Sequence, residues 1–275
     1  MFAALLITLR EGLEAALIVG IVLGVLRKVG REDRSRFVWV GVVAASLVSL
    51  MVGLALNALG IALEGRGEEV FEGITMLLAS AVLTWMIFWM QRQGRQVQLG
   101  LERDTRQAIS ANNAKMLFGL SFVAVVREGI ETALFLTAAA FRATTAQTLI
   151  GGALGLLAAT VLGWIIFVGS KRLDVRAFFR ATGLLLILFA AGLLAQGMHE
   201  LQVAALLPVI IEQVWDINHV LSEEGAGGSL LKALFGYNGN PSLLEVVSYA
   251  GYYVVVWLGG RRGRQAAMRA ATSEV

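Results

Sequence analysis

Two five-residue strings place charged side chains inside apolar segments of the chain. Motif 1 (Arg10–Glu14) reads Arg-Glu-Gly-Leu-Glu, and motif 2 (Arg127–Glu131) reads Arg-Glu-Gly-Ile-Glu. Each lies within about 25 mostly apolar residues, which is long enough to cross a bilayer as a helix. An ionisable group at the bilayer centre costs about 2.5–3.5 kcal/mol, and each motif carries three. Because this costly REGxE pattern occurs twice, we predict a binding site at the membrane midplane.

The chemistry of such a site follows from helical spacing. Residues three or four apart share a helix face, so Glu11 and Glu14 point the same way and Arg10 can pair with Glu14. All-oxygen, highly charged clusters suit hard multivalent cations. A purely structural alternative, in which the ion pairs only lock the helices, leaves Glu11 and Glu128 unexplained. The predicted metal ligands are Glu11, Glu14, Glu128 and Glu131, and the predicted charge-tuning residues are Arg10 and Arg127.

The composition predicts a polytopic membrane protein. Hydrophobic residues make up 57% of the 275 residues and charged residues 16%, and the mean hydropathy is +0.72. Such values are typical of helical membrane proteins without a large soluble domain. The absence of cysteine excludes disulfides and thiolate metal sites, and two histidines argue against a copper or bis-histidine haem centre. We expect the lipid bilayer as a partner, no nucleic acid and no permanently bound cofactor.

The distribution of basic residues predicts the orientation. Eighteen of the 23 Lys and Arg residues fall in the first, third and fifth connections and the C-terminal tail, whereas the opposite side keeps only Arg66, Arg142 and Lys232. By the positive-inside rule the N-terminus lies outside and the C-terminus in the cytoplasm, in the inner membrane of a bacterium. The seven predicted transmembrane helices are 2–26, 37–61, 70–90, 116–141, 147–169, 178–199 and 242–260.

The two motifs also predict an internal repeat. They begin two groups of three spans, and an odd number of spans makes the second group run opposite to the first. Transporters with such a 3+3 inverted-topology repeat bind substrate at the repeat interface near the midplane. The alternative is an ordinary bundle in which two similar strings arose separately. We therefore predict an all-α single membrane domain, 1–275, with repeat one at about 1–92, repeat two at about 115–200, an outer loop at 200–241, the seventh span at 242–260 and a basic cytoplasmic tail at 261–275.

An acidic string precedes the third span. Glu68, Glu69 and Glu72 lie on the predicted outer side, where they could collect cations at the entrance. The alternative is that they stabilise the positive N-terminal end of a helix.

The outer loop contains further acidic residues and a short apolar stretch. The stretch 201–211 is too short to span and contains Pro208, so we interpret it as interfacial or re-entrant. We interpret His199 as part of the polar end of a helix at the outer interface. Asp216 is a weaker site candidate, because loop groups of this kind more often make local hydrogen bonds. Glu223–Glu224 is a further weak site candidate in this loop.

Together these residues resemble those of the oxidase-dependent iron permeases, which comprise fungal high-affinity iron permeases and bacterial EfeU-type proteins. The resemblance rests on both REGxE motifs, on the Glu-Glu-x-x-Glu string at Glu68–Glu72 and on the predicted seven spans. It implies iron uptake with the motif glutamates as ligands. It also implies an extracytoplasmic partner that oxidises or delivers iron, either a multicopper ferroxidase or EfeO- and EfeB-like proteins, so that ferric ion is the expected substrate.

Two alternatives remain at the level of sequence. One is a transporter of another multivalent metal such as lead or manganese. The other is an intramembrane enzyme that uses the carboxylates for acid–base or dimetal chemistry. Dimetal carboxylate enzymes usually add a Glu-x-x-His pair, and no histidine lies near either motif. We therefore expect a transporter rather than an enzyme. The residues leave open the driving force and whether several copies assemble into a homo-oligomer.

Overall fold

The computed structural model describes residues 1–168, 174–222 and 225–272, and within these ranges it contains helices and no strands. A short 3₁₀ turn, Glu32–Arg34, precedes the second helix. The helices are α1 (Phe2–Lys28), α2 (Ser35–Ala62), α3 (Arg66–Ser110), α4 (Ala114–Ala140), α5 (Thr145–Val168), α6 (Val175–Val203), α7 (Ala226–Phe235) and α8 (Leu243–Thr272).

Each of the seven predicted spans coincides with one long helix. Five helical segments are long and apolar enough to cross a membrane, and they lie in α2, α3, α5, α6 and α8. Helices α1 and α4 have 27 residues each, or about 40 Å at 1.5 Å per residue, and they carry the charged motifs. The all-helical, multi-pass membrane class predicted from composition is confirmed.

Helix α3 is longer than its predicted span. It continues through the basic third connection to Ser110, because this stretch lacks proline and is rich in helix-forming Gln, Arg and Leu. Asn112 then adopts a left-handed conformation with φ of 53°. Asn113 caps α4 by accepting a hydrogen bond from the Met116 backbone N–H at 3.2 Å. Two asparagines thus set the start of the helix that carries motif 2.

The chain forms two compact units, each built from separate segments. The first comprises Met1–Ala62 and Gly94–Thr182, and the second Leu63–Gln93 and Gly183–Val275. Both motifs lie in the first unit, whereas the acidic string of α3 and the outer loop lie in the second.

In the first unit α1 packs parallel to α5 through small residues. A Cβ added to Gly12 would lie 2.7 Å from the Cβ of Ala159, and one added to Gly163 would lie 2.8 Å from the Cβ of Ala16. The paired residue numbers rise together, so the two helices run in the same direction. Small residues at four-residue spacing allow this close approach.

Helix α4 packs parallel to α2 in the same manner. A Cβ added to Gly41 would lie 2.7 Å from the carbonyl oxygen of Phe118, and one added to Gly129 would overlap the Ser49 side chain. The end of α1 also packs against the beginning of α4, since Leu26 and Leu117 belong to one buried cluster. Helices α1 and α4 therefore run antiparallel and are each supported by a parallel partner.

In the second unit α3 and α6 cross at two glycines. A Cβ on Gly73 would lie 3.1 Å from the Gly197 carbonyl oxygen, and one on Gly197 would lie 3.0 Å from that of Gly73. Farther along, the Ser80 hydroxyl donates to the Ala190 carbonyl at 2.8 Å. This contact brings the first half of α3 against the second half of α6.

Helix α7 returns to the middle of α6. A Cβ on Gly192 would lie 2.7 Å from the Gly236 Cα, and Gly236 ends α7 in a left-handed conformation. Gly192 lies eleven residues before Val203, or roughly 16 Å along the helix, within the apolar segment Ala177–Val203. By contrast, Ile210 in the stretch interpreted as interfacial or re-entrant is 71% exposed. The end of α7 therefore lies against the middle of α6.

Candidate metal site between the two charged motifs

Helices α1 and α4 bring three motif carboxylates together. One carboxylate oxygen from each of Glu11, Glu128 and Glu131 lies within 4.8 Å of the others. We call these residues the carboxylate trio, and they are 1%, 4% and 8% exposed, respectively. Oxygen ligands that share one hard cation lie about 2.0–2.6 Å from it, so their mutual distances reach at most about 5 Å. The trio thus has the dimensions of a cation site.

Arginines contact the carboxylates of both motifs. Arg10 Nη1 lies 2.9 Å from Glu11 Oε1, and Arg10 Nη2 lies 3.1 Å from Glu14 Oε1. In motif 2, Arg127 Nε donates to Glu131 Oε1 at 2.9 Å. The predicted i,i+4 pairs are therefore present in both helices.

The trio keeps acceptor capacity that the protein does not use. Glu11 Oε2, Glu128 Oε2 and Glu131 Oε2 are buried, and none has a hydrogen-bond partner among the described residues. A buried acceptor without a partner costs about 1–3 kcal/mol, and more when charged. Three such oxygens on three neighbouring carboxylates are unfavourable for stability alone but are suited to bind a cation.

The motif glycines hold this geometry in place. Gly12 lies against Ala159 of α5, and Gly129 lies against Ser49 of α2. A larger residue at either position would push the motif-bearing helix away from its parallel partner. The trio is therefore carried by rigid, closely packed helices rather than by a loop.

Comparison with known proteins identifies the group to which this chain is related. Residues 1–259 match the iron permease FTR1 family. The chain belongs to this family. It is 36% identical over 256 residues to the ferrous iron permease EfeU of Escherichia coli O6:K15:H31 (strain 536 / UPEC), covering 92% of this chain and 93% of that protein. It is 35% identical to the ferrous iron permease EfeU of Yersinia pestis, covering 92% and 91%. No solved structure matches it.

In this iron permease family member Glu14 lies beside the trio. It is 12% exposed and paired with Arg10, although the group of mutually close ligand atoms contains only the other three motif glutamates. The four predicted carboxylates are thus arranged as three that lie close together and one glutamate beside them. A role for Glu14 in binding stays a prediction.

The predicted entrance residues lie at the start of α3 in the second unit. Glu68 is exposed, whereas Glu69 and Glu72 are half-buried. Glu68 and Glu69 occupy the first turn, where carboxylates also stabilise the N-terminal end of the helix. The position of this string therefore agrees with both interpretations, and the entrance stays a prediction.

Of the weaker loop candidates, the structure describes Asp216. Asp216 is exposed and accepts a hydrogen bond from the Asn218 backbone N–H at 3.0 Å, which is a local turn. Glu223–Glu224 lie outside the described residues.

One buried polar cluster in the second unit was not predicted. Glu245 is 3% exposed and accepts from three donors, namely His199 Nδ1 at 3.0 Å, Asn238 Nδ2 at 2.8 Å and the Ser242 backbone N–H at 3.0 Å. The Ser242 hydroxyl donates to Gln202 Oε1 at 2.7 Å. We call these five residues the Glu245 network. The Ser-x-x-Glu spacing of a capping box was the sequence signal that could have indicated it.

Proposed function

We propose that this protein moves iron inward across the cytoplasmic membrane of a bacterium and that the carboxylate trio holds the ion on its way. The observation that carries this proposal is the set of three buried carboxylates with unused oxygens in a member of the iron permease family. Carboxylate oxygens are hard ligands, and buried negative charge favours a multivalent cation over a monovalent one.

Ferric ion is the proposed species, delivered by an extracytoplasmic oxidase or iron-delivery protein. The relatives are named ferrous iron permeases. These names are compatible with a ferric substrate if ferrous iron reaches the cell surface and a partner oxidises it before transport. An all-oxygen donor set supports the harder trivalent ion. The proposed partner contacts the acidic residues on the outer side, and Glu68, Glu69 and Glu72 form the proposed entrance for the ion.

Seven transmembrane helices are proposed on the basis of helix packing. Helix α1 lies parallel to α5 over most of its length, and α5 contains one of the five apolar spans. Helix α4 lies parallel to α2, which contains another. A helix packed along a span crosses the same thickness of membrane, which supports α1 and α4 as spans. The directions of these four helices also fit a chain that crosses the membrane once in each successive long helix.

The packing further supports the inverted repeat. In the proposed repeat α1 corresponds to α4, and α2 corresponds to α5. The contact between α1 and α5 therefore corresponds to the contact between α4 and α2. The glycine of each motif lies at the equivalent place, Gly12 against Ala159 and Gly129 against Ser49. The repeat interface then lies between α1 and α4, where the trio is found.

The orientation can be tested with single cysteines, because the chain contains none. Val220 is 76% exposed in the proposed outer loop, and Leu99 is 64% exposed in the proposed cytoplasmic connection. We expect an impermeant thiol reagent to label Val220→Cys in intact cells and Leu99→Cys only after permeabilisation. The reverse pattern would overturn the direction of transport.

The decisive experiment measures uptake by purified protein in liposomes. Ferric citrate is supplied in one series and ferrous iron with ascorbate under anaerobic conditions in another, each with manganese or lead as competitor. We expect uptake of ferric iron that Glu128→Gln abolishes and that equal concentrations of the competitors do not suppress. Uptake of ferrous iron alone would show that the ferrous ion, and not the ferric ion, is transported. Stronger transport of manganese or lead would refute iron as the substrate.

A further inference from the structure

A short segment after α6 exposes many large apolar side chains. We call residues 206–217 the apolar segment. Eleven of these twelve residues are exposed, and Leu207 is half-buried. Contiguous apolar side chains on a surface mark contact with a protein or a membrane. Seven of them are between 38% and 71% exposed, namely Leu206, Val209, Ile210, Ile211, Val214, Trp215 and Ile217.

Backbone hydrogen bonds hold the apolar segment beside the start of α8. The Leu243 N–H donates to the Ile211 carbonyl at 3.1 Å, and the Val214 N–H donates to the Pro241 carbonyl at 2.9 Å. Leu243 is the first residue of α8, which contains one of the five apolar spans. The apolar segment is therefore fixed at the end of a helix that crosses the membrane.

The other end of the apolar segment is attached to α6. This helix ends at Val203, and Ala205 turns the chain in a left-handed conformation with φ of 54°. The Gln202 side chain then donates from Nε2 to the Pro208 carbonyl at 3.1 Å. Because α6 contains another of the five apolar spans, the segment is attached to the ends of two spans. It therefore lies at the membrane surface and does not extend far into the aqueous phase.

The backbone and the charges of the apolar segment limit its depth. Its residues are not helical, and irregular backbone exposed to lipid does not occur in the hydrocarbon core, where its polar groups would lack partners. Glu212 and Asp216 are exposed, and carboxylates are costly in the core. Trp215 has the kind of ring that favours the headgroup level. The apolar side chains favour lipid, whereas the backbone and carboxylates exclude the core, and the headgroup layer satisfies both conditions.

We propose that the apolar segment lies in the headgroup layer of the leaflet at this end of α6 and α8, with its apolar side chains at the boundary with the acyl chains. That leaflet is the outer one in the proposed orientation. Interfacial elements enter the membrane to a depth of about 5–10 Å in this way. The partner of this surface is therefore the lipid bilayer itself, and the segment anchors the loop that carries α7 independently of the ion that the protein moves.

Single-cysteine probes measure this depth, because the chain contains no cysteine of its own. The full-length protein, in nanodiscs of phosphatidylcholine and phosphatidylethanolamine without a partner protein, carries the fluorophore NBD at Ile210→Cys or Trp215→Cys. Lipids with a doxyl group at carbon 5 quench shallow probes, those with doxyl at carbon 12 quench deep probes, and iodide quenches from water. We expect 5-doxyl lipid to quench both probes about twofold more than 12-doxyl lipid, and iodide to quench them weakly.

Three exposed positions calibrate the measurement. Val254 is 56% exposed and lies about 16 Å along α8 from Leu243, so 12-doxyl lipid should quench its probe most. Leu99 is 64% exposed in the proposed cytoplasmic connection, and iodide should quench its probe. Val220 is 76% exposed in the turn that follows the apolar segment. Its probe should also be quenched by iodide, which compares two depths on the same side of the membrane.

A charged substitution tests whether apolar contact with lipid holds the segment in place. Ile210→Asp adds a carboxylate that resists entry into lipid, so iodide quenching of the Trp215→Cys probe should rise about twofold. Val220→Asp is the matched control and should leave this quenching unchanged. Thermal unfolding checks that both variants are folded.

The inference is overturned if the Ile210 and Trp215 probes behave as the Leu99 probe does, because the surface would then project into water and be left for a protein. It is also overturned if 12-doxyl lipid quenches them most, which would make the segment re-entrant. Protection from all three quenchers would show that protein covers the surface and would likewise refute the lipid contact. Iron is absent from these measurements, so they stand or fall separately from the proposed function.

Discussion

The two units differ in how the oxygens of their buried carboxylates are hydrogen-bonded. In the second unit Glu245 is 3% exposed and uses both of its oxygens, because three donors from His199, Asn238 and Ser242 surround it. In the first unit each member of the carboxylate trio is also buried, yet one oxygen of each lacks a hydrogen-bond partner among the described residues. Burial alone therefore does not separate the two groups, but hydrogen-bond satisfaction does.

We interpret this difference as that between a structural carboxylate and one proposed to bind a ligand. A buried carboxylate whose oxygens are all bonded stabilises the fold and resists change. A buried carboxylate with a spare oxygen costs free energy in the fold and offers that oxygen to a ligand. Glu245 joins α6, segment 200–241 and α8, whereas the trio brings carboxylate oxygens of α1 and α4 within 4.8 Å of one another. Substitutions at the two places should therefore give different defects.

The largest effect is expected at the trio. Glu128→Gln keeps the shape of the side chain but removes the charge that binds a hard cation. We expect the initial rate of iron uptake, normalised to folded protein in liposomes, to fall at least about 100-fold. Thermal unfolding should change little, because the lost oxygen had no partner. Normal uptake by a well-folded Glu128→Gln protein would show that the trio does not lie on the transport path.

Glu245→Gln should show the reverse pattern. An amide has a single acceptor oxygen and turns an NH₂ group toward at least one of three donors, so the unfolding free energy should fall by about 2–3 kcal/mol. The measurement is thermal unfolding in detergent, with uptake per folded molecule as its companion. If that uptake fell as far as in Glu128→Gln, the division between structural and binding carboxylates would be wrong.

Glycine substitutions in α1 test whether helix contact sets the trio. Gly12→Ala places a methyl group 2.7 Å from Ala159 Cβ, and such overpacking costs about 1–3 kcal/mol. Gly24→Ala is the matched control, because an added Cβ there meets no atom of the described structure within 4 Å. We expect lower stability and weaker cation binding for Gly12→Ala and unchanged binding for Gly24→Ala. Equal behaviour of the two variants would show that the α1–α5 contact does not position Glu11.

The smallest effect is expected at Ser242. Ser242→Ala removes the cap of the Glu245 backbone N–H and the hydrogen bond to Gln202, at a cost of about 1 kcal/mol. Ser46→Ala, which alters an exposed hydroxyl bonded to its own helix, should stay within about 0.5 kcal/mol of wild type. Both variants should transport iron normally per folded molecule. A transport defect confined to Ser242→Ala would place the Glu245 network in the iron path.

Much of the fold could be predicted because apolar runs and bilayer thickness together specify helix length. All seven predicted spans coincide with helices, and the charged motifs fall inside α1 and α4. The extension of α3 to Ser110 could not be predicted by this criterion, since it is polar. The return of α7 to Gly192 depends on a glycine–glycine contact between distant segments, which no local pattern reveals.

The site was predictable in its chemistry but not in its asymmetry. Spacing along one helix places Glu11 and Glu14 on the same face, and the same holds for Glu128 and Glu131. Tertiary packing then decides that Arg10 is enclosed and Arg127 partly open, and that Glu14 lies beside the trio. Two nearly identical strings carry no local signal of this difference, because it arises from the neighbours that each helix acquires.

The contact between α7 and Gly192 has a consequence for biosynthesis. Helix α7 has ten residues, or about 15 Å of helix, too short to be retained in the membrane as a span during synthesis. On the proposed topology the whole outer loop is therefore exported, and α7 reaches Gly192 from the outer side. The contact between α7 and Gly192 then forms after export of the loop, as a step separate from insertion of the spans.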